Sequence, residues 1–226
     1  MMRYVLTTIL TAFLLCACAT PSPWRQEQEL RELLPGAEVA LTDIPAPVAA
    51  EIVRAVRDCK AQYPAAVQYI KSIKTDYAVS QRQTFPIEAY AVTYMAMLSP
   101  YNSILLNDAR LQSLTSVRKQ YATDVWLGLH PAVPRNSEMY ALMMHEFAHV
   151  LTANLRLQDN VEIIKLYQVF QMETLKGLEF ASCASLNVLE FIAEAFVDAV
   201  CNGDKAQGMS KAVLEAIKKV QGGGNG

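Results

Sequence analysis

His145-Glu146-Phe147-Ala148-His149, set within the run from Met139 to Leu151, is the stretch from which the rest of the chain is read. Residues four apart lie one turn above each other on a helix, so the imidazoles of His145 and His149 point the same way. Across these thirteen residues only His145, Glu146 and His149 are strongly polar. A helix that is apolar nearly all round belongs in a core. Polar side chains carried into a core need partners. Two readings meet that need: core histidines bonded to backbone or carboxylates, or two neutral nitrogens sharing one metal ion.

The second reading is that of the HExxH motif, in which two histidines hold Zn²⁺ and the glutamate between them takes a proton from a water. It requires a third ligand. One continuation needs Gly at 152 and His at 155, but Thr152 and Leu155 stand there. A glutamate from a later helix is the remaining common choice. Downstream, Leu189, Ile192, Ala193, Phe196, Val197 and Val200 form an apolar stripe at helical spacing. Glu190, Glu194 and Asp198 form an acidic stripe on the same helix. One carboxylate can reach the metal while the next accepts a hydrogen bond from a ligand imidazole and fixes its tautomer. Glu190 with Glu194 is one register; Glu194 with Asp198 is the other. A solvated acidic face, or Glu190 as capping-box partner to Asn187, are the plainer alternatives.

His145 to His149, followed by Glu190-Phe191-Ile192-Ala193-Glu194-Ala195-Phe196, resembles the catalytic domain of anthrax lethal factor and related zinc metallopeptidases. The resemblance runs from about Ser137 to Val220 and takes in Ile163 to Tyr167, Asn202 to Ala206 and Ser210 to Ala212. It implies a zincin-like α+β fold, with a small mixed sheet and a mainly helical C-terminal half. It implies Zn²⁺ held by His145, His149 and Glu190, Glu146 as general base, and Glu194 orienting a ligand histidine. The substrate implied is a peptide or protein. Ile104-Leu105-Leu106-Asn107 is similar to the edge strand that such enzymes lay beside a substrate. One position departs: Cys183 stands where the family carries a tyrosine that stabilises the tetrahedral intermediate. A thiol is a weak donor, so Tyr140, Tyr167 and His130 are the candidate replacements. The competing expectation is a catalytically weak, zinc-binding protein that holds a peptide or protein partner. A third is an envelope protein without metal.

Outward from these motifs the chain reads as helix over 25–35 and 46–72, the latter interrupted near Pro64. Strands are expected over 87–96 and at Ser103–Leu106. Helices follow over 137–156, 159–178, 187–201 and 209–221, with Asn202-Gly203 as a stop. Residues 25–221 suit one domain, with 25–85 as a possible helical cap and 222–226 as a glycine-rich tail.

The N-terminus reads as an address. Arg3 precedes a short apolar run from Tyr4 to Leu15, too short to span a bilayer. The run ends Leu15-Cys16-Ala17-Cys18, which resembles a bacterial lipoprotein signal over 1–17 with Cys18 lipidated and 18–24 as a tether. An ordinary secretory signal cut nearby is the alternative. Ala19 points to the outer membrane, facing the periplasm. Cys59, Cys183 and Cys201 remain in the body; an oxidising envelope allows one pair to be bridged, in any of three pairings, with one thiol left free. A net charge of −2 removes the electrostatic footprint of a nucleic-acid binder. Palmitate labelling of the full chain should be lost on Cys18→Ser; unlabelled wild type would refute the lipid anchor.

Overall fold

Proline opens the first long helix: Pro45 precedes α2 and Pro47 sits in its first turn, where a missing N–H is without cost. The computed structural model describes residues 23–75, 90–94, 102–174 and 181–223. In chain order the elements are α1 (Trp24–Leu33), β1 (Glu38–Ala40), α2 (Ala46–Gln62), β2 (Ser72–Thr75), β3 (Ala91–Tyr94) and β4 (Ser103–Leu106). Helices α3 (Leu114–Trp126), α4 (Glu138–Leu155), α5 (Val161–Thr174), α6 (Val188–Asn202) and α7 (Gly208–Gly223) follow. Short 3₁₀ turns at Pro64–Ala66, Leu157–Asp159, Cys183–Ser185 and Gly203–Lys205 connect them.

The sheet is small and mixed, in the order β1-β2-β4-β3. The pairs β1–β2 and β2–β4 are parallel, and β3 runs antiparallel to β4 with Ala91 opposite Leu106. The fold is therefore α+β with a helical C-terminal half, as the sequence pattern implies. Two strands and one helix depart from that pattern. Residues near 72 form β2 rather than the end of a helix, because α2 stops at Gln62 before Pro64. Strand β1 has three residues, below the reach of a period-2 signal. Helix α3 buries only Val117, Tyr121 and Asp124, so its apolar face is weak; its start is fixed by a capping box between Ser113 and Ser116. Strand β4, expected at an edge, is paired on both sides; β1 and β3 are the edges among the described residues.

Helices α4 and α6 are the centre of the core. They pack on each other, α4 also against α2, α3 and β3, and α6 also against α5 and α7. Ten of the eleven residues from Ala141 to Leu151 are buried, His145 being the half-buried exception. The core is continuous from Leu30 in α1 to Ile217 in α7. Helices α1 and α2 contribute Leu30 and, from Val48 to Cys59, a buried face to that same core. Cys59, Cys183 and Cys201 are all free thiols, so none of the three pairings open in the sequence is formed here. No described helix is long and apolar enough to cross a membrane. The signal, Cys18 and most of the 18–24 tether lie outside the described residues, as do 87–89, 95–96 and 175–178 of the expected strand and helix. Gly222 and Gly223 close α7 rather than beginning a tail.

Phe196 of α6 is fully buried and meets the Tyr63 ring edge-on, with centroids 4.9 Å apart. Phe196→Ala should cost about 3–5 kcal/mol, read as a lower urea midpoint with an unchanged slope.

Candidate metal centre

The site is built where α4 crosses α6. The i, i+4 spacing in α4 brings the two imidazoles together, with their Nε2 atoms 3.1 Å apart. Helix α6 supplies the third group. Asn187 caps it, its side-chain oxygen accepting from the N–H groups of Leu189 (2.9 Å) and Glu190 (3.0 Å). That cap places Glu190 in the first helical turn. Its carboxylate turns to the histidines: Oε2 is 3.3 Å from Nε2 of His145 and Oε1 is 3.5 Å from Nε2 of His149. These three residues each offer an atom to one small volume, and the group could hold a metal ion.

The acidic stripe is buried rather than solvated. Glu194 is 1% exposed and Asp198 is 4% exposed. Glu194 lies behind the histidines, with Oε1 3.3 Å from Nδ1 of His145 and 2.7 Å from Nδ1 of His130. It faces His145 on the edge of the ring away from Glu190, as an ion-pair contact rather than a formed hydrogen bond. The Nδ1 of His149 is likewise buried without a hydrogen bond. Asp198 does not join the site. Its Oδ1 accepts from Asn202 Nδ2 (2.7 Å) and its Oδ2 from the Gln207 N–H (2.9 Å), which ties down the turn after α6. Of the three acids, Glu190 is the one that faces the Nε2 atoms of both histidines.

Glu146 points into the same cleft, and Thr93 of β3 donates to its Oε2 at 2.6 Å. Burial raises the Glu146 pKa, opposed by the charge of His145 and by the Thr93 hydrogen bond. Burial also drives His149 down to about 4, so that ring is neutral near pH 7. His145 goes the other way: burial would lower it, but Glu194, Glu190 and Glu146 together hold it well above its ordinary value. Burial opposes ionisation of Glu194, yet His145 and His130 bring it to about 2. Glu190 is likewise held low by the two histidines against its burial.

The surrounding cleft has a volume of about 390 Å³. His130 lines it, stacked on Tyr121 with centroids 5.7 Å apart. Tyr140 and Tyr167 do not. Tyr140 lies under the Arg54 guanidinium, and Tyr167 packs on Phe191. Cys183 does reach the cleft, its thiol pushed up to about 11 by burial and by the charge of Glu194. Three cleft residues have no signal in the local sequence: Thr93, Tyr90 and Asp124. The Tyr90 hydroxyl donates to Asp124 Oδ2 at 3.2 Å. Thr93 is 53 residues from its glutamate partner, so only the tertiary fold joins them.

No family model matches the chain, nor does any curated protein or solved structure. Asp198→Ala should lower stability by about 1–3 kcal/mol, by removing the acceptor of two partly buried hydrogen bonds, and leave metal content unchanged. Thermal unfolding and elemental analysis of the same preparation check both halves.

Proposed function

We propose that the chain is a zinc metallopeptidase of the HExxH-plus-glutamate type, with a zincin-like fold, acting on peptide bonds at the α4–α6 cleft. The observation that carries this is the triangle of donor atoms on His145, His149 and Glu190. Around a tetrahedral ion bound at about 2.0–2.1 Å, ligand atoms stand about 3.3–3.4 Å apart. The three edges here are 3.1, 3.3 and 3.5 Å. Two nitrogens and one carboxylate oxygen form a donor set suited to catalytic zinc, which keeps its fourth position open. The resemblance to lethal factor-like peptidases supports the same assignment.

Zn²⁺ bound there supplies a Lewis acid, polarising the scissile carbonyl and bringing the pKa of water toward neutrality. The chain's own groups do the rest. Glu146 receives a proton from the attacking water and returns it to the leaving amine. Thr93 holds that carboxylate through Oε2, so the base enters the reaction already aimed. Glu194 orients the His145 ring through its ion-pair contact at Nδ1. Of the three candidate oxyanion donors, only His130 lines the cleft. The edge strand β3 passes beside Glu146 and offers backbone groups to an extended peptide. Attachment to the outer membrane through Cys18 belongs to the same proposal.

A second reading draws on Cys183. With a thiol in place of the family tyrosine, and Tyr140 and Tyr167 turned away, one oxyanion donor is missing. That costs about 10²–10³ in rate and favours a protein that holds a peptide without cutting it. Two variants separate the readings. Glu146→Gln should keep one zinc per chain and lose about 10²–10⁴ of the rate on a peptide library. Glu190→Ala should lose the tightest-bound zinc. Stoichiometric zinc without cleavage by wild type would favour the second reading; a tightest-bound zinc held by Glu190→Ala as firmly as by wild type would refute the ligand set of both.

A further inference from the structure

We propose a second metal site in the same cleft, formed by His130, Cys183 and Glu194. These residues come from three places in the fold: the loop after α3, the 3₁₀ turn before α6, and the second turn of α6. Each offers one nitrogen, sulfur or oxygen atom to a common volume, and the three atoms lie within 4.8 Å of one another. The surrounding loops are tied together. The Ser182 N–H donates to the Gly128 carbonyl at 2.7 Å and the Cys183 N–H to the Leu129 carbonyl at 3.3 Å. These bonds hold Cys183 beside His130 whether or not an ion is bound.

The first site leaves this one free. The His145–His149–Glu190 triangle uses the Nε2 edge of His145, whereas Glu194 faces its Nδ1 edge. An imidazole ring therefore stands between the two sets of donors, and neither set borrows an atom from the other. Charge favours cations throughout. Asp124, Glu146, Glu190 and Glu194 line the cleft, and no lysine or arginine among the described residues does. A second dication is therefore met by a carboxylate, that of Glu194, which is not a ligand of the first. Its donor set includes a thiol, which selects borderline-soft ions such as Zn²⁺, Co²⁺ or Cd²⁺ over Mg²⁺ or Ca²⁺. On binding, Cys183 loses its S–H proton to the buffer and the sulfur forms the bond to the metal. The ion would also draw Glu194 from its 2.7 Å contact with His130 and from the Nδ1 edge of His145. Excess metal at this position is thus placed to slow the first site rather than assist it.

Cobalt(II) distinguishes the two sites, because the first contains no sulfur. Titrated into the metal-free full chain, Co²⁺ should bind to two equivalents. Thiolate-to-cobalt charge-transfer absorption in the near ultraviolet should grow with the second. Cys183→Ser should abolish that absorption and bind one equivalent. His130→Gln should do the same with every thiol in place, so a loss in either variant is not a general effect of removing sulfur. One equivalent in wild type with no sulfur band overturns this proposal and leaves the His145–His149–Glu190 assignment standing. A sulfur band that survives Cys183→Ser also overturns it. No cobalt at any concentration overturns both assignments.

Discussion

Two imidazole nitrogens and a carboxylate aimed at one point make an arrangement that cannot stand by itself. Each brings electron pairs, and the Nε2 atoms of His145 and His149 are only 3.1 Å apart. A proton on His145 satisfies one edge of the triangle. A dication satisfies all of them at once. Around this point the core places its longest contact, α4 against α6, so the demand of the site and the packing of the fold fall on the same pair of helices. Glu194 extends the arrangement inward. Nearly without exposure, it stays ionised because His145 and His130 both face it. Removing either partner would leave a buried charge with half of its compensation.

The main features of the centre are legible in the sequence because they are local. The spacing of His145 and His149 requires only a helix, and the apolar run around them requires only a core. Glu190, Glu194 and Asp198 share a stripe for the same reason. What the stripe does along its length is not local. Glu190 faces the histidines from the first turn, Glu194 stands behind them, and Asp198 closes the turn to Gln207. Periodicity places three acids in a line without saying where the neighbouring helix ends. The position of Asp198 depends on that end.

The sheet was harder to read for a related reason. Strands of three or four residues carry too few alternations to be told from helix or loop. Their partners are fixed by contacts distant in sequence. Ser103–Leu106 is legible because the turn at Ser99–Asn102 marks where it begins, while its place in the interior of the sheet is not. The same holds for Thr93. A threonine in a strand is unremarkable by composition, and its bond to Glu146 exists only because β3 lies against α4. Tyr140 and Tyr167 show the converse. Both are near the motifs in sequence, but one stacks under Arg54 and the other packs into the aromatic core.

The three unjoined thiols bear on how the described core closes. Cys59 is sealed in the interior, and no two of Cys59, Cys183 and Cys201 are joined. Among the described residues, cohesion therefore comes from burial and from polar ties such as that of Asp198 to Gln207, and no cross-link there has to form before the helices can pack.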